Sequence, residues 1–177
     1  MKEDIKEVLL SEEALQKRIK ELGEQITADY PDGDLMVICV LKGAVLFMSD
    51  LVKVIDRPLE MDFMAVSSYG NSTESSGIVK IVKDLNSSIE GRNVLIVEDI
   101  IDSGLTLKYL LRILKEREPK SIKVCALLER EGQTTGHTFD YTGFVVPDGF
   151  LVGYGLDYAE KYRNLPYIGI LDPSVYQ

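Results

Sequence analysis

Several residue types that enzymes often depend on are scarce in this chain. It has one histidine, two cysteines and no tryptophan among 177 residues. The histidine, His137, lies in a polar stretch and is predicted to be solvated, which excludes a multi-histidine metal site and a histidine-based catalytic triad. Cys39 and Cys125 both lie in apolar runs typical of buried strands, so we predict core residues rather than a disulfide or a metal pair.

Positive charge is also scarce. Twenty lysine and arginine residues stand against 29 aspartate and glutamate residues, which gives a formal net charge of −9. This balance opposes a general nucleic-acid or anionic-membrane surface, because both require clustered positive charge. An anionic substrate must therefore be bound locally, by backbone N–H groups, a few cations and a metal ion.

The chain lacks a long uninterrupted hydrophobic run. Its most apolar window, residues 35–55, contains Lys42, Asp50 and Lys53, and charges at these positions oppose a membrane span. The first residues, MKED, do not form a signal-peptide pattern. The sequence therefore predicts a cytoplasmic enzyme with no membrane partner.

Length and composition fit one domain over residues 1–177. Hydrophobic residues make up 45% and charged residues 28%, which is ordinary for a globular domain. Apolar runs that alternate with amphipathic segments predict an α/β fold with a mostly parallel sheet. The predicted helices are 11–29, 44–55, 105–116 and a brief one at 157–162. The predicted strands are 35–41, 59–67, 78–83, one beginning at Val94, 121–128, 143–146, 150–154 and 167–171.

Residues 68–77 read SYGNSTESSG and contain almost no apolar side chain. A polar loop of this length within a small domain is typical of a lid or a binding element. We therefore predict a flexible loop that closes over a site.

The segment with the most chemical information runs from Val94 to Thr106 and reads VLIVEDIIDSGLT. Its apolar start predicts a strand buried on both faces. Glu98 and Asp99 then fall at the carboxyl end of that strand, where open α/β sheets bind ligands. The residues that follow, DSGLT, predict a tight turn before a helix, with backbone N–H groups that bind an anion.

Carboxylates beside an anion site indicate a particular kind of ligand. They repel a phosphate unless the ligand also offers hydroxyl groups or a metal ion, and a sugar phosphate does both. Glu98 and Asp99 are then placed to accept hydrogen bonds from ribose hydroxyls, residues 103–106 to hold a 5′-phosphate, and Asp102 to lie near the anomeric carbon. The alternative is that these acids only cap a helix and solvate a loop.

The same segment carries a family resemblance that extends over nearly the whole chain. VLIVEDIIDSGLT resembles the motif with which type I phosphoribosyltransferases bind 5-phosphoribosyl 1-diphosphate. Supporting segments are LEMDFMAVSSYGNSTESSG around the polar loop, VLKGAVLFMSDL near the start and VPDGFLVGYGLDYAEKYRNLPYIG near the end. The last two are similar to the branch of the family that acts on 6-oxopurines.

The resemblance implies both a fold and a reaction. The expected fold is a central, mostly parallel sheet flanked by helices, with a flexible flap hairpin and a small hood built mainly from residues 1–12 and 143–177. The implied reaction is purine salvage, in which hypoxanthine or guanine reacts with 5-phosphoribosyl 1-diphosphate to give IMP or GMP and diphosphate. The family also implies a homodimer or a homotetramer.

By position, the resemblance assigns the phosphoribosyl site to the Val94–Thr106 segment. Glu98 and Asp99 are implied to bind the ribose hydroxyls, and Asp102 is implied to act beside N7 of the purine. The implied 5′-phosphate ligands are Ser103, Gly104, Leu105 and Thr106.

Other segments are implied to hold the diphosphate. Lys42 and Gly43 match the family's diphosphate loop, with a cis peptide bond expected between Leu41 and Lys42. Arg163 matches a diphosphate-binding cation. Without the resemblance, the residues alone favour a surface lysine at the start of a loop for Lys42, and for Arg163 one half of an ion pair with Glu160 or Asp157.

Magnesium is the implied cofactor. Carboxylate and phosphate oxygens suit this hard ion, which usually retains waters and binds together with its phosphorylated substrate. The residues that the resemblance implies as its ligands are Glu98, Asp99 and Asp157.

The purine and the flap are assigned in the same way. Phe150 matches the ring that stacks on the base, and Leu151 matches the residue whose backbone meets the Watson–Crick edge. Asp157 is placed near the base as well as near the metal. Ser68 and Tyr69 match flap residues that close over the reacting centre.

One position departs from the family pattern. Two residues after Leu128, where the family has a lysine that donates to the purine 6-oxo group, this chain has Arg130, and the following EGQTTGHTFDYTG also differs. Arginine can donate to a carbonyl, but its planar fork is longer and bulkier than an ammonium group. Two alternatives therefore stay open: a 6-oxopurine transferase with a preference shifted toward xanthine, and a nucleotide-sensing regulator on the same fold.

Overall fold

A six-stranded sheet forms the centre of the protein, which a computed structural model describes for residues 1–68, 79–132 and 139–176. The strand order is β4-β3-β2-β5-β6-β7, and all neighbouring pairs are parallel except β3 and β4. These strands are β2 (Leu35–Leu41), β3 (Leu59–Ser68), β4 (Val79–Lys83), β5 (Asn93–Ile101), β6 (Ser121–Arg130) and β7 (Tyr141–Val146). The predicted α/β fold with a mostly parallel sheet is confirmed.

Three α-helices cover the two faces of this sheet: α1 (Glu12–Asp29), α2 (Val45–Val54) and α3 (Leu105–Lys115). Successive side chains of a strand point to opposite faces, so Val37 packs with the residues of α1 and α2, whereas Ile38 packs with those of α3. Both core cysteines are fully buried and unpaired, as predicted. Burial of each large aliphatic side chain contributes about 1.5–3 kcal/mol to the stability of the fold. Because both faces of the sheet are buried in this way, the carboxyl ends of its strands are held in fixed positions.

A second, smaller sheet is built from both ends of the chain. It has the order β1-β9-β8 and is antiparallel, with β1 (Ile5–Leu10), β8 (Leu151–Val152) and β9 (Ile168–Leu171). Buried side chains from its strands and loops form a separate cluster: Val152, Tyr162, Leu165 and Leu171. This is the hood expected from the family resemblance, and it places the end of the chain beside the carboxyl edge of the main sheet.

The brief helix predicted at residues 157–162 is wrong. Ala159 and Glu160 have φ angles of 49° and 64°, which are left-handed and incompatible with a right-handed helix. They form a tight turn in which Tyr158 and Lys161 exchange backbone hydrogen bonds of 3.2 and 3.0 Å. The side chain of Asp157 accepts a hydrogen bond from the Glu160 N–H at 2.9 Å, which stabilises this turn instead of a helix.

The strand predicted at residues 150–154 is also shorter than expected, because β8 ends at Val152. Gly153, Tyr154 and Gly155 have φ angles of 98°, 50° and 102°, and this run of positive values turns the backbone away from the sheet.

Residues 69–78, 133–138 and 177 lie outside the described part of the chain. The predicted flexible loop at 68–77 therefore stays a prediction. Within the described ranges, no helix combines the length and apolar character needed to cross a membrane.

Candidate active site

Two neighbouring cavities open at the carboxyl edge of the main sheet. The first has a volume of about 250 Å³ and the second about 260 Å³, and Asp99 and Ile100 line both. The first cavity is also lined by every residue assigned to the phosphoribosyl site: Glu98, Asp102, Ser103, Gly104, Leu105 and Thr106. The second is lined by the residues assigned to the base: Arg130, Phe150, Leu151 and Asp157.

The first cavity is shaped by the passage from β5 to α3. β5 ends at Ile101, and Gly104 adopts a left-handed conformation with φ 72° directly before α3 begins at Leu105. Only glycine takes this conformation without a steric cost, and it lets the chain turn straight into the helix. No side chain caps this helix, so its first N–H groups are available to an anion.

Two carboxylates enter this cavity from the end of β5. Glu98 is only 8% exposed, and burial together with the charge of Asp99 raises its pKa well above the usual value. Burial also raises the pKa of Asp99, and the charge of Asp157 acts in the same direction, against hydrogen bonds from the backbone and the charge of Arg163. One buried and one partly buried carboxylate, both with raised pKa values, fit a ligand that brings hydroxyl groups or a cation.

The Lys42–Gly43 loop lies directly against Asp99. The peptide bond between Leu41 and Lys42 is cis, as the family resemblance implied. A Cβ atom at position 43 would fall 1.6 Å from a carboxylate oxygen of Asp99, so any larger residue would require the Asp99 side chain to shift. The backbone of this loop therefore lies in contact with the wall shared by the two cavities.

Glu160 links the two predicted diphosphate cations. Its carboxylate accepts from Lys42 Nζ at 2.9 Å and from Arg163 at 3.1 Å. Arg163 also pairs with Asp157 at 2.9 Å and donates to the Gly155 carbonyl at 2.7 Å. The ion pair of Arg163 that the sequence left open therefore exists, and Lys42 pairs with the same acid, Glu160. The pattern of residues gave no indication that Glu160 joins them.

The second cavity has an aromatic wall. Phe150 is 36% exposed and packs edge-on against Tyr158, with ring centroids 5.3 Å apart. The Tyr176 ring is also close to Phe150, with centroids 5.1 Å apart, and it lies 6.3 Å from Tyr158. Arg130 reaches this cavity and donates to the Pro147 carbonyl at 3.1 Å. A half-exposed ring beside a guanidinium group and a backbone edge suits a flat heterocycle with carbonyl groups.

The residues assigned to the flap lie at or beyond the limit of the described part of the chain, so their assignment stays a prediction. Ser68 ends β3, and Tyr69 lies outside the described residues. Within the described ranges, no three histidine, cysteine or acidic side chains form a group compact enough to hold a metal ion alone. The prediction that Glu98, Asp99 and Asp157 bind magnesium stays a prediction. Sequence reasoning missed the lining residues Ile100 and Leu156, whose apolar character is typical of core.

Comparisons with family models, with curated protein sequences and with solved structures all identify the same family. The phosphoribosyl transferase domain model matches residues 7–159. A hypoxanthine-guanine phosphoribosyltransferase of Bacillus subtilis is 61% identical over 178 residues, which cover 100% of this chain and 99% of that protein.

Solved structures agree with these matches. A hypoxanthine phosphoribosyltransferase from Staphylococcus aureus has a TM-score of 0.96 at 51% identity, covering 100% of this chain and 97% of the other. A Trypanosoma cruzi enzyme of the same name, in complex with the product IMP, has a TM-score of 0.92 at 41% identity and covers 98% of each chain. The chain therefore belongs to the type I phosphoribosyltransferase family.

Proposed function

We propose that this protein is a purine-salvage enzyme that transfers the 5-phosphoribosyl group of 5-phosphoribosyl 1-diphosphate to hypoxanthine or guanine. The products are IMP or GMP and diphosphate. The observation that carries the proposal is the pair of cavities that share Asp99 and Ile100, one with acids and free helix N–H groups and the other with an exposed ring. The relatives named as hypoxanthine-guanine phosphoribosyltransferases support the choice of base.

The acidic cavity fits the phosphorylated sugar. Glu98 and Asp99 would bind the ribose hydroxyls, which a carboxyl group can do as acceptor when ionised or as donor when protonated. The N–H groups at the start of α3 and the hydroxyls of Ser103 and Thr106 would hold the 5′-phosphate. This binding mode would bring the anomeric carbon close to Asp102, which is exposed and lines the same cavity.

The cavity with the aromatic wall fits the purine. Phe150 would stack on the ring, the backbone of Leu151 would meet the Watson–Crick edge, and Arg130 would donate to the 6-oxo group. Asp102 would accept a hydrogen bond or a proton from N7, which makes N9 a better nucleophile. N9 then attacks C1′ of the ribose as the bond from C1′ to the diphosphate breaks.

The departing diphosphate develops negative charge, and Lys42 and Arg163 would stabilise it once they exchange Glu160 for the substrate. Asp99 and Asp157 fit a hard divalent cation, because burial and mutual repulsion already raise the pKa of Asp99. Magnesium, when bound, would neutralise charge on the diphosphate oxygens.

We also expect the cytoplasmic location and the homodimer or homotetramer implied by the family, and sedimentation would test the oligomeric state.

The proposed function is tested by a spectrophotometric assay with 5-phosphoribosyl 1-diphosphate, magnesium and each base separately. Hypoxanthine and guanine should be converted, and adenine, which has no 6-oxo group, should not. Fastest conversion of xanthine would favour the alternative in which Arg130 reshapes the base cavity. Absence of turnover with every base, combined with tight nucleotide binding, would favour the regulator.

A further inference from the structure

A buried hydrogen bond joins the hood to the helical layer beneath it. The hydroxyl of Tyr154, in the hood segment after β8, donates to the carboxylate of Asp50 in α2. Tyr154 is 5% exposed, and burial together with this hydrogen bond raises the pKa of its phenol, so it stays a neutral donor at working pH.

Asp50 is held firmly from the other side. Its carboxylate also accepts from Gln16 of α1 at 2.9 Å and from Lys53 at 2.6 Å. Burial opposes ionisation of Asp50, but the hydrogen bonds from Lys53, Tyr154 and Gln16 outweigh it and lower its pKa. The acceptor is therefore an ionised carboxylate fixed to two helices, and hydrogen bonds to such a group are stronger than neutral ones.

The residue after Tyr154 contacts the active site directly. A Cβ atom at Gly155 would lie 2.0 Å from the carbonyl oxygen of Gly43, so the two backbones are in contact. The Gly155 carbonyl accepts from Arg163 at 2.7 Å, and its N–H donates to the Arg163 carbonyl at 2.9 Å. Gly43 in turn lies against Asp99. A continuous line of contacts thus runs from Asp50 to the wall between the cavities.

We propose that Tyr154 is a positioning residue for the diphosphate half of the substrate, acting through Gly155 on the Lys42–Gly43 loop and on Arg163. The inference rests on the proposed function, because it assigns those groups to the diphosphate. Loss of the hydroxyl frees the hood segment to move away from Gly43. The groups that bind diphosphate then lose their alignment, whereas Phe150 and Arg130 of the base cavity are held by other contacts, to Tyr158, Tyr176 and Pro147.

The chain offers a matched control for this residue. Tyr141 is 2% exposed, and its hydroxyl also donates to an aspartate, Asp29. Asp29 lines a separate cavity with Asn93 and Ser121, the first residues of β5 and β6, at the opposite edge of the sheet. Tyr154→Phe and Tyr141→Phe therefore each remove a hydrogen bond from a buried tyrosine to an aspartate, although Tyr141 also accepts from Lys123 at 3.3 Å, and only Tyr154 is next to the active site.

The test compares steady-state kinetics and melting temperatures of the two variants. Both should lose a similar amount of thermal stability. Tyr154→Phe should raise KM for 5-phosphoribosyl 1-diphosphate about five- to tenfold, because only part of the free energy of one buried hydrogen bond to a charged group reaches the diphosphate site, and leave KM for the base within about twofold. Tyr141→Phe should leave both values unchanged. Unchanged KM in Tyr154→Phe, or equal changes in the two variants, would overturn the proposal.

Asp50 provides a second route to the same result. Asp50→Asn keeps an oxygen that accepts from Tyr154 and should retain KM, whereas Asp50→Ala should reproduce the defect of Tyr154→Phe. A defect of equal size in Asp50→Asn would contradict the positioning role.

Calorimetric titration with magnesium diphosphate separates this inference from the proposed function. Weaker binding by Tyr154→Phe than by Tyr141→Phe supports the positioning role even if no base is converted, and equal binding refutes it.

Discussion

Lys42 Nζ and Glu160 Oε2 lie 2.9 Å apart, although 118 positions separate these residues in the chain. A hydrogen bond from Lys42 and a weaker effect of the one from Arg163 lower the pKa of Glu160, so this acid is ionised at neutral pH. An acid that neutralises both predicted diphosphate cations occupies the place of the substrate's own charge. Under the proposed function, the substrate would compete with Glu160 for the same two cations.

Glu160→Gln should bind magnesium diphosphate more tightly than the parent protein. Ion pairs between exposed side chains are weak, so we expect the dissociation constant to fall only about two- to fivefold. Isothermal titration calorimetry measures it, and Glu24→Gln, the same charge change on an exposed face of α1, is the control. Weaker binding would show instead that Glu160 holds the cations in place for the ligand.

Asp102→Asn should keep its affinity for 5-phosphoribosyl 1-diphosphate but lose most of its turnover. An amide retains the size of the side chain and cannot take a proton from N7. We expect kcat to fall by about 10²–10⁴, the usual contribution of a general acid or base. Rapid-quench and equilibrium binding measurements separate the two effects, with Asp32→Asn at the opposite edge as control. An unchanged kcat would remove Asp102 from the chemistry.

Glu98→Gln should change the pH dependence of stability. The pKa of Glu98 is higher in the folded than in the unfolded chain, so the protonated form favours folding. That contribution is complete below the ordinary pKa of 4.5 and is lost as pH rises through the folded value. Glutamine does not ionise and avoids this loss.

The melting temperature of ligand-free Glu98→Gln should therefore rise relative to the parent as pH increases from about 5 to about 8. Thermal unfolding followed by circular dichroism measures the difference at each pH. Glu90→Gln removes an exposed carboxylate and should show no such trend. A constant difference between Glu98→Gln and the parent across this range would refute the prediction.

Arg130→Lys should shift the relative preference for hypoxanthine and guanine. The ammonium group is more compact than the guanidinium fork, and it loses the hydrogen bond that now runs from Arg130 to the Pro147 carbonyl at 3.1 Å. The ratio of kcat/KM for the two bases measures the effect, with Arg112→Lys on α3 as control. Identical ratios would show that Arg130 does not contact the base.

Periodicity predicted the elements whose burial is regular. β2 was predicted at residues 35–41 and observed at Leu35–Leu41, because six of its seven residues are buried and form a continuous apolar run. α1 begins after Ser11, whose side chain accepts from the Ala14 N–H at 3.1 Å, as its capping pattern indicated. β1 was not predicted as a strand, because only partial burial against β9 distinguishes its sequence, IKEVLL, from a loop.

The cavity residues were predicted wherever a contiguous motif carried them. Glu98 to Thr106 lie in one segment, and local order alone places them at one sheet edge. The contacts of Glu160 with Lys42 and of Tyr154 with Asp50 were missed, because the partners lie more than a hundred residues away in the chain. Such contacts depend on how the hood packs on the sheet, and a single sequence carries no periodic signal for that packing.

Asp99 and Ile100 form a partition that belongs to both halves of the candidate active site. A synthetic molecule that joins a purine-like ring to a hydroxylated phosphonate chain would span Asp99 and Ile100 and bind in both cavities at once. Its second half would bind at the effective concentration set by the tether, which is of millimolar order for short flexible connections. Tether length, more than the quality of either half, should then decide the potency of such inhibitors.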